Sequence, residues 1–111
     1  MKKLVFALAA TLGLATGAAH AADIAAGKQI AEAQCAACHA TNGDWNKPTA
    51  PAYPKLAGQH KDYLKVVLKH YQNGSRQNGI MNGIASTLSD SDINNVSAFF
   101  ASLEGDLYLK K

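Results

Sequence analysis

The chain has 111 residues, of which 48% are hydrophobic and 17% are charged, and its formal net charge at pH 7 is +3. This length is enough for one small domain and too short for two. The net charge is small, which argues against a nucleic-acid-binding protein.

The chain begins like a secretory signal, with two lysines before an apolar run over residues 4–14 and small residues just before Ala22. The run is shorter than the ~20 residues that span a bilayer, which disfavours an uncleaved anchor, and no later stretch is long enough to span. We therefore predict a signal peptide at residues 1–21 and one domain over residues 22–111, exported to the periplasm as a soluble protein.

A first helix is predicted directly after the signal. Asp23 can cap a helix that runs through Ile24 and Ile30 towards a pair of cysteines. Gly27 is the weak helix former of this segment and costs up to about 1 kcal/mol relative to alanine. We expect another helix to cross closely at Gly27, because such a crossing requires a residue without a side chain.

The most informative motif is Cys-x-x-Cys-His, formed by Cys35, Cys38 and His39. Each thiol can add to one vinyl group of a haem and the adjacent imidazole can ligate the iron, so this spacing is the mark of c-type haem attachment. Three other interpretations are a structural disulfide, a thioredoxin-like dithiol and part of a zinc site. A thioredoxin-like dithiol should follow a strand, and a zinc site needs about four ligands where three stand close together here. We predict one haem c, bound covalently through both cysteines, with its iron ligated by His39.

A loop and a second long helix are predicted next. Residues 41–58 hold all three prolines and the single tryptophan, Trp45, which excludes a long helix there. From His60 to about Tyr71 the apolar residues return at helical spacing, and Gly74 follows as a stop signal.

The last helix is predicted to start at Ser89, whose hydroxyl can cap it while Asp92 stands three residues further on. Its apolar stripe consists of Ile93, Val96, Phe99, Phe100 and Leu103. Strand pairs and internal repeats are not recognisable, and the chain is therefore predicted to be all-α.

Met81 is the predicted second iron ligand, because it is the only methionine that remains after removal of the signal. The Gly-rich stretch at residues 79–83 is predicted to be a flexible loop that lets the backbone approach a haem face. A methionine that fills a gap in the core is the alternative for this residue. His60 and His70 are the alternative iron ligands.

Taken together, these motifs resemble a class I bacterial cytochrome c, the kind found singly or as each lobe of dihaem periplasmic cytochromes. The similarity extends from Gly27 to Leu103. It implies a small class I cytochrome c fold, with three to five helices wrapped around one haem. It also implies that Gly27 meets an aromatic residue of the last helix, Phe99 or Phe100.

The same resemblance assigns residues to the haem site. The segment at residues 54–58 is similar to the family's proline-x-leucine-x-glycine motif. By that likeness the Pro54 carbonyl accepts a hydrogen bond from His39, Leu56 packs on the haem, and Met81 is the iron ligand on the other face. We expect these residues and the two cysteines to line an apolar cavity, with His39 and Met81 facing each other across it.

The predicted function is the transfer of single electrons by one haem with His/Met ligation, and the protein is not predicted to be an enzyme. Its partners would be a membrane or periplasmic donor and an oxidase or reductase. One alternative is a small-ligand-binding or peroxidase-like haem protein, which needs an open sixth position on the iron. Another is the haem subunit of a dehydrogenase complex.

A lysine-rich segment could recognise such partners. Its lysines are Lys55, Lys61, Lys65 and Lys69. They either form a solvated helix face or provide a docking surface for an acidic partner, which would raise the association rate at low salt.

Overall fold

The computed structural model describes residues 21–108 together with Gly13, and the predicted signal peptide lies almost wholly outside the described residues. Within them the prediction of an all-α chain is confirmed. The helices are α1 (Ile24–Ile30), α2 (Ala36–His39), α3 (Lys61–Asn73), α4 (Gly79–Ser86) and α5 (Asp90–Ser102), with a π-helical turn at Ala31–Cys35 between α1 and α2. Among these helices, none is both long enough and apolar enough to cross a membrane.

Local sequence signals set the ends of three helices, as predicted. The Asp23 carboxylate accepts a hydrogen bond from the backbone N–H of Ala26 at the start of α1. Ser89 and Asp92 form a reciprocal capping box at the start of α5. Gly74 ends α3 with a φ of 81°, a left-handed conformation that glycine adopts without strain.

The expected close crossing at Gly27 is present, and the crossing helix is α5. A Cβ atom built on Gly27 would overlap the backbone of Asn95, with its carbonyl carbon only 2.5 Å away, and would lie 3.0 Å from the nitrogen of Val96. The resemblance pointed instead to Phe99 or Phe100. The nearest atoms are those of the α5 backbone one turn earlier, because the two helices approach so closely that main chain meets main chain.

Gly27→Ala is expected to destabilise the protein by about 1–3 kcal/mol, because overpacking of the α1–α5 crossing outweighs the better helix propensity of alanine. Unfolding by urea would measure the change. Gly83→Ala in α4 is the matched control, because a Cβ atom there meets no other atom within 4 Å. Equal stability of the two variants would contradict a tight crossing at Gly27.

The core joins the proline-containing loop to α5. Trp45 is buried, and its ring lies edge-on to the rings of Phe99 and Phe100 at centroid distances of 5.9 and 5.1 Å. These are favourable aromatic geometries. Trp45 therefore anchors the loop after His39 to α5, the helix that also packs against α1.

The Gly-rich stretch around Met81 is helical, and the prediction of a flexible loop there is wrong. Met81 lies in the first turn of α4. The side-chain oxygen of Asn78 accepts hydrogen bonds from the backbone N–H groups of Ile80 and Met81, at 3.1 and 3.0 Å. This cap satisfies donors that would otherwise be unpaired, so the two glycines of α4 are tolerated.

Candidate functional site

The two cysteines stand on either side of a change in helix type. Cys35 ends the π-helical turn, and Cys38 and His39 belong to α2. The turn is wider than an α-helical one, since the N–H of Ala36 donates to the carbonyl of Ala31. The residues before Cys35 are thus helical, as predicted, and not the strand that a thioredoxin-like dithiol would follow. The sequence did not indicate the π-helical turn.

Both thiols are free and half-buried. Burial raises the pKa of the Cys35 thiol to about 11, and the charge of Cys38 adds to the increase. Cys35 is therefore protonated at neutral pH, and it is a weak nucleophile until another group removes that proton. Within the described part of the chain, we find no cluster of three or more His, Cys, Asp or Glu side chains that could hold a metal ion.

His39 is held in one orientation by the loop that follows it. Its side chain is 7% exposed, and Nδ1 lies 2.8 Å from the carbonyl oxygen of Pro54. A carbonyl oxygen only accepts hydrogen bonds, so Nδ1 carries the proton and donates it. In the neutral imidazole the lone pair is then on the other ring nitrogen, Nε2. A neutral imidazole fixed in this way has the tautomer and the orientation that a metal ligand needs.

The hydrogen bond between His39 and Pro54 is the one that the resemblance implied. A second attachment of the same loop was not predicted. The backbone N–H of Thr49 donates to the carbonyl of Cys38 at 3.0 Å, and its hydroxyl lies 3.1 Å from the same oxygen. These bonds satisfy a carbonyl at the end of α2. A threonine in a proline-rich loop gives no sequence signal for such a contact with a helix end.

The remaining predicted site residues lie on separate elements. Leu56 is partly buried and packs against the hydrophobic core. Met81 is half-buried on α4. The end of that helix reaches the cysteine-bearing segment, because the hydroxyl oxygen of Thr87 lies 2.8 Å from the side-chain oxygen of Gln34. The position of Met81 opposite His39 stays a prediction.

The expected apolar cavity does not match either of two grooves on the described part of the chain. One, of about 460 Å³, is lined by residues of the proline-containing loop, of which only Pro54 belongs to the predicted set. The other, of about 430 Å³, lies between α3 and α5. Cys35, Cys38 and Met81 are each partly exposed. The predicted site is thus open to the surface at these three side chains.

Comparisons with known proteins point to one family. The cytochrome c family model matches residues 24–104. Cytochrome c4 of Pseudomonas aeruginosa is 46% identical over 102 residues, which cover 92% of this chain and 49% of that protein. Cytochrome c-554(548) of Halomonas halodenitrificans is 40% identical over 87 residues, which cover 76% of this chain and 100% of that protein.

A solved structure is also similar. The crystal structure of reduced recombinant cytochrome c4 from Pseudomonas stutzeri aligns with a TM-score of 0.60 and 33% sequence identity, over 75% of this chain and 50% of that one. The chain therefore spans about half the length of its cytochrome c4 relatives.

Proposed function

The chain belongs to the cytochrome c family, and from that premise we propose that it is a periplasmic carrier of single electrons. It would bind one haem c through Cys35 and Cys38, with His39 and Met81 as the two iron ligands. The observation that carries this proposal is the buried ring of His39, which Pro54 holds through Nδ1 so that Nε2 is free to bind iron.

The residues present fit a covalently bound haem. The fold is that of a class I cytochrome c, and the cofactor of the family is haem c. The two free thiols provide the thioether links, and the partly buried Leu56 offers an apolar contact. When bound, the haem supplies an iron that alternates between the ferric and ferrous states.

The chain's own residues hold His39 in place, and Met81 would close the remaining position on the iron. His39 cannot rotate without breaking its bond to Pro54, and the loop that carries Pro54 is fixed at Trp45 and at Thr49. Because Met81 occupies the sixth position in this proposal, a small molecule has no vacant site to bind. These features support an electron carrier rather than an enzyme.

Reduced-minus-oxidised spectroscopy and mass spectrometry of the exported holoprotein would test the proposal. We expect the added mass of one haem, the spectrum of a c-type cytochrome and reversible one-electron reduction. Rapid binding of carbon monoxide to the reduced protein would instead favour the small-ligand-binding or peroxidase-like class. Stable co-purification with a dehydrogenase would favour a dedicated subunit.

The lysine-rich segment is a smaller docking surface than its sequence suggests. Lys55 forms an ion pair with Asp106 at 2.5 Å, and Lys69 is paired with Asp90. Lys61 and Lys65 have no ion pair among the described residues. We propose that these two lysines steer acidic redox partners towards the protein, while the other two are largely neutralised.

The double variant Lys61→Glu/Lys65→Glu is expected to slow oxidation of the reduced protein by ferricyanide, an anion, several-fold at low salt. The difference should shrink as salt rises, since screening shortens the reach of the field to about 8 Å at physiological ionic strength. Lys28→Glu/Lys47→Glu makes the same change of charge on α1 and in the proline-containing loop. Equal slowing by both double variants would leave only the net charge as the cause and contradict a local docking surface.

A further inference from the structure

Helix α4, which carries Met81, makes few apolar contacts with the rest of the polypeptide. It has eight residues, and only Ala85 among them is buried. Ile80 is 55% exposed, and Met81 and Ile84 are half-buried. Helices shorter than about 12 residues are marginal in water unless packing or side-chain bonds support them. Within the polypeptide, polar contacts therefore contribute much of what fixes α4.

Asn82, the residue after Met81, ties the first turn of α4 to the end of α3. Its side-chain nitrogen donates to the carbonyls of Tyr71 and Arg76, each at 2.9 Å. Its side-chain oxygen accepts from the backbone N–H of Asn78 at 2.8 Å. All the hydrogen-bonding groups of this amide except one lone pair are thus engaged. The Tyr71 carbonyl is one of those that a helix leaves unpaired at its end.

Gln72 makes the reciprocal attachment from α3 to the other end of α4. Its side-chain nitrogen donates to the carbonyls of Ala85 and Leu88, at 2.9 and 2.7 Å. The orientation of this amide is fixed by chemistry, because both partners are acceptors and only the nitrogen can donate to them. The side chain of α3 thus bonds to the end of α4, and the side chain of α4 bonds to the end of α3.

We propose that Gln72 and Asn82 form an amide clamp that positions Met81 on the iron. Neither residue touches the haem in this proposal; both are positioning residues that act through the backbone of α4. The inference rests on the proposed role of Met81 as an iron ligand. Without the clamp, α4 would move away from its place more often, and Met81 would leave the iron more often.

Imidazole titration of the ferric holoprotein measures how often Met81 leaves, because imidazole can take the position only when the methionine is absent. Its apparent affinity is the intrinsic affinity multiplied by the fraction of molecules in that state. Gln72→Glu and Asn82→Asp keep the size of each side chain and remove its donors. Since each loses two hydrogen bonds, we expect imidazole to bind roughly tenfold more tightly to either variant. As imidazole binds, the methionine-to-iron band of the ferric spectrum should disappear over the same range of imidazole concentration.

Gln77→Glu and Asn94→Asp are the matched controls, since they add the same charge. Gln77 donates to the carbonyl of Gly74 outside α4, and Asn94 lies on α5. If a clamp variant does not fold with haem, Gln72→Ala or Asn82→Ala replaces it in the same titration. Imidazole affinity that stays within twofold of the parent, or that rises equally in the controls, overturns the clamp. A parent protein that lacks the methionine band overturns both the clamp and the proposed ligation.

Discussion

A chain in which serine replaces both Cys35 and Cys38 is expected to be secreted without covalently bound haem. A hydroxyl group cannot form the thioether that joins each thiol to a vinyl group, while its size is close to that of the thiol. The mass of the secreted protein should equal that of its amino acids, and the c-type absorbance should be absent. The loss of covalently bound haem should be complete rather than partial.

The same variant should also be poorly folded. Cores of small domains supply only about 3–5 kcal/mol, so a cofactor that becomes part of the core decides their stability. Circular dichroism should show less helix and a broad thermal transition. Ala37→Ser adds one hydroxyl at an exposed position between the two cysteines and should keep both haem and fold. Haem that remains attached to the double variant would contradict our assignment of Cys35 and Cys38.

Features encoded within a few residues were predictable from the sequence. The cap at Asp23, the capping box at Ser89 and the stop at Gly74 depend on neighbours at most four residues away, and the structure contains all three. The Cys-x-x-Cys-His motif is equally local. Gly27 required one further step, because its lack of a side chain is explained only by the close approach of a distant helix.

Features that depend on distant residues were not predictable. The stretch around Met81 is rich in glycine, yet it is helical, and besides the local cap of Asn78 the side chains of Asn82 and Gln72 bond it to α3. Two of the four lysines are paired with acids 51 and 21 residues away in the chain. The π-helical turn before Cys35 was also not predicted, because no residue type or spacing in the sequence marks it. The bonds to α3 and the two ion pairs form only after the chain has folded.

Met81→Ala is expected to open the sixth position of the iron while leaving haem attachment intact. The methionine-to-iron band of the ferric spectrum should disappear, and the reduced protein should bind carbon monoxide rapidly. The reduction potential should fall, because axial ligation controls the potential over a range of about 0.8 V and methionine moves it upward. Ile80→Ala, a change at the neighbouring and 55% exposed residue, should preserve all three properties.

Ligation of the iron by His60 or His70 would give a different spectrum for these variants. If His60 or His70 were the second ligand, Met81→Ala would leave the spectrum unchanged, and His60→Ala or His70→Ala would alter it. Both histidines are exposed and lie at the start and in the last turn of α3, whereas Met81 is half-buried. Because a ligand enclosed with the iron must be withdrawn from water, this difference in burial favours the methionine. The three single variants, compared by spectrum and by carbon monoxide binding, separate the two kinds of ligation.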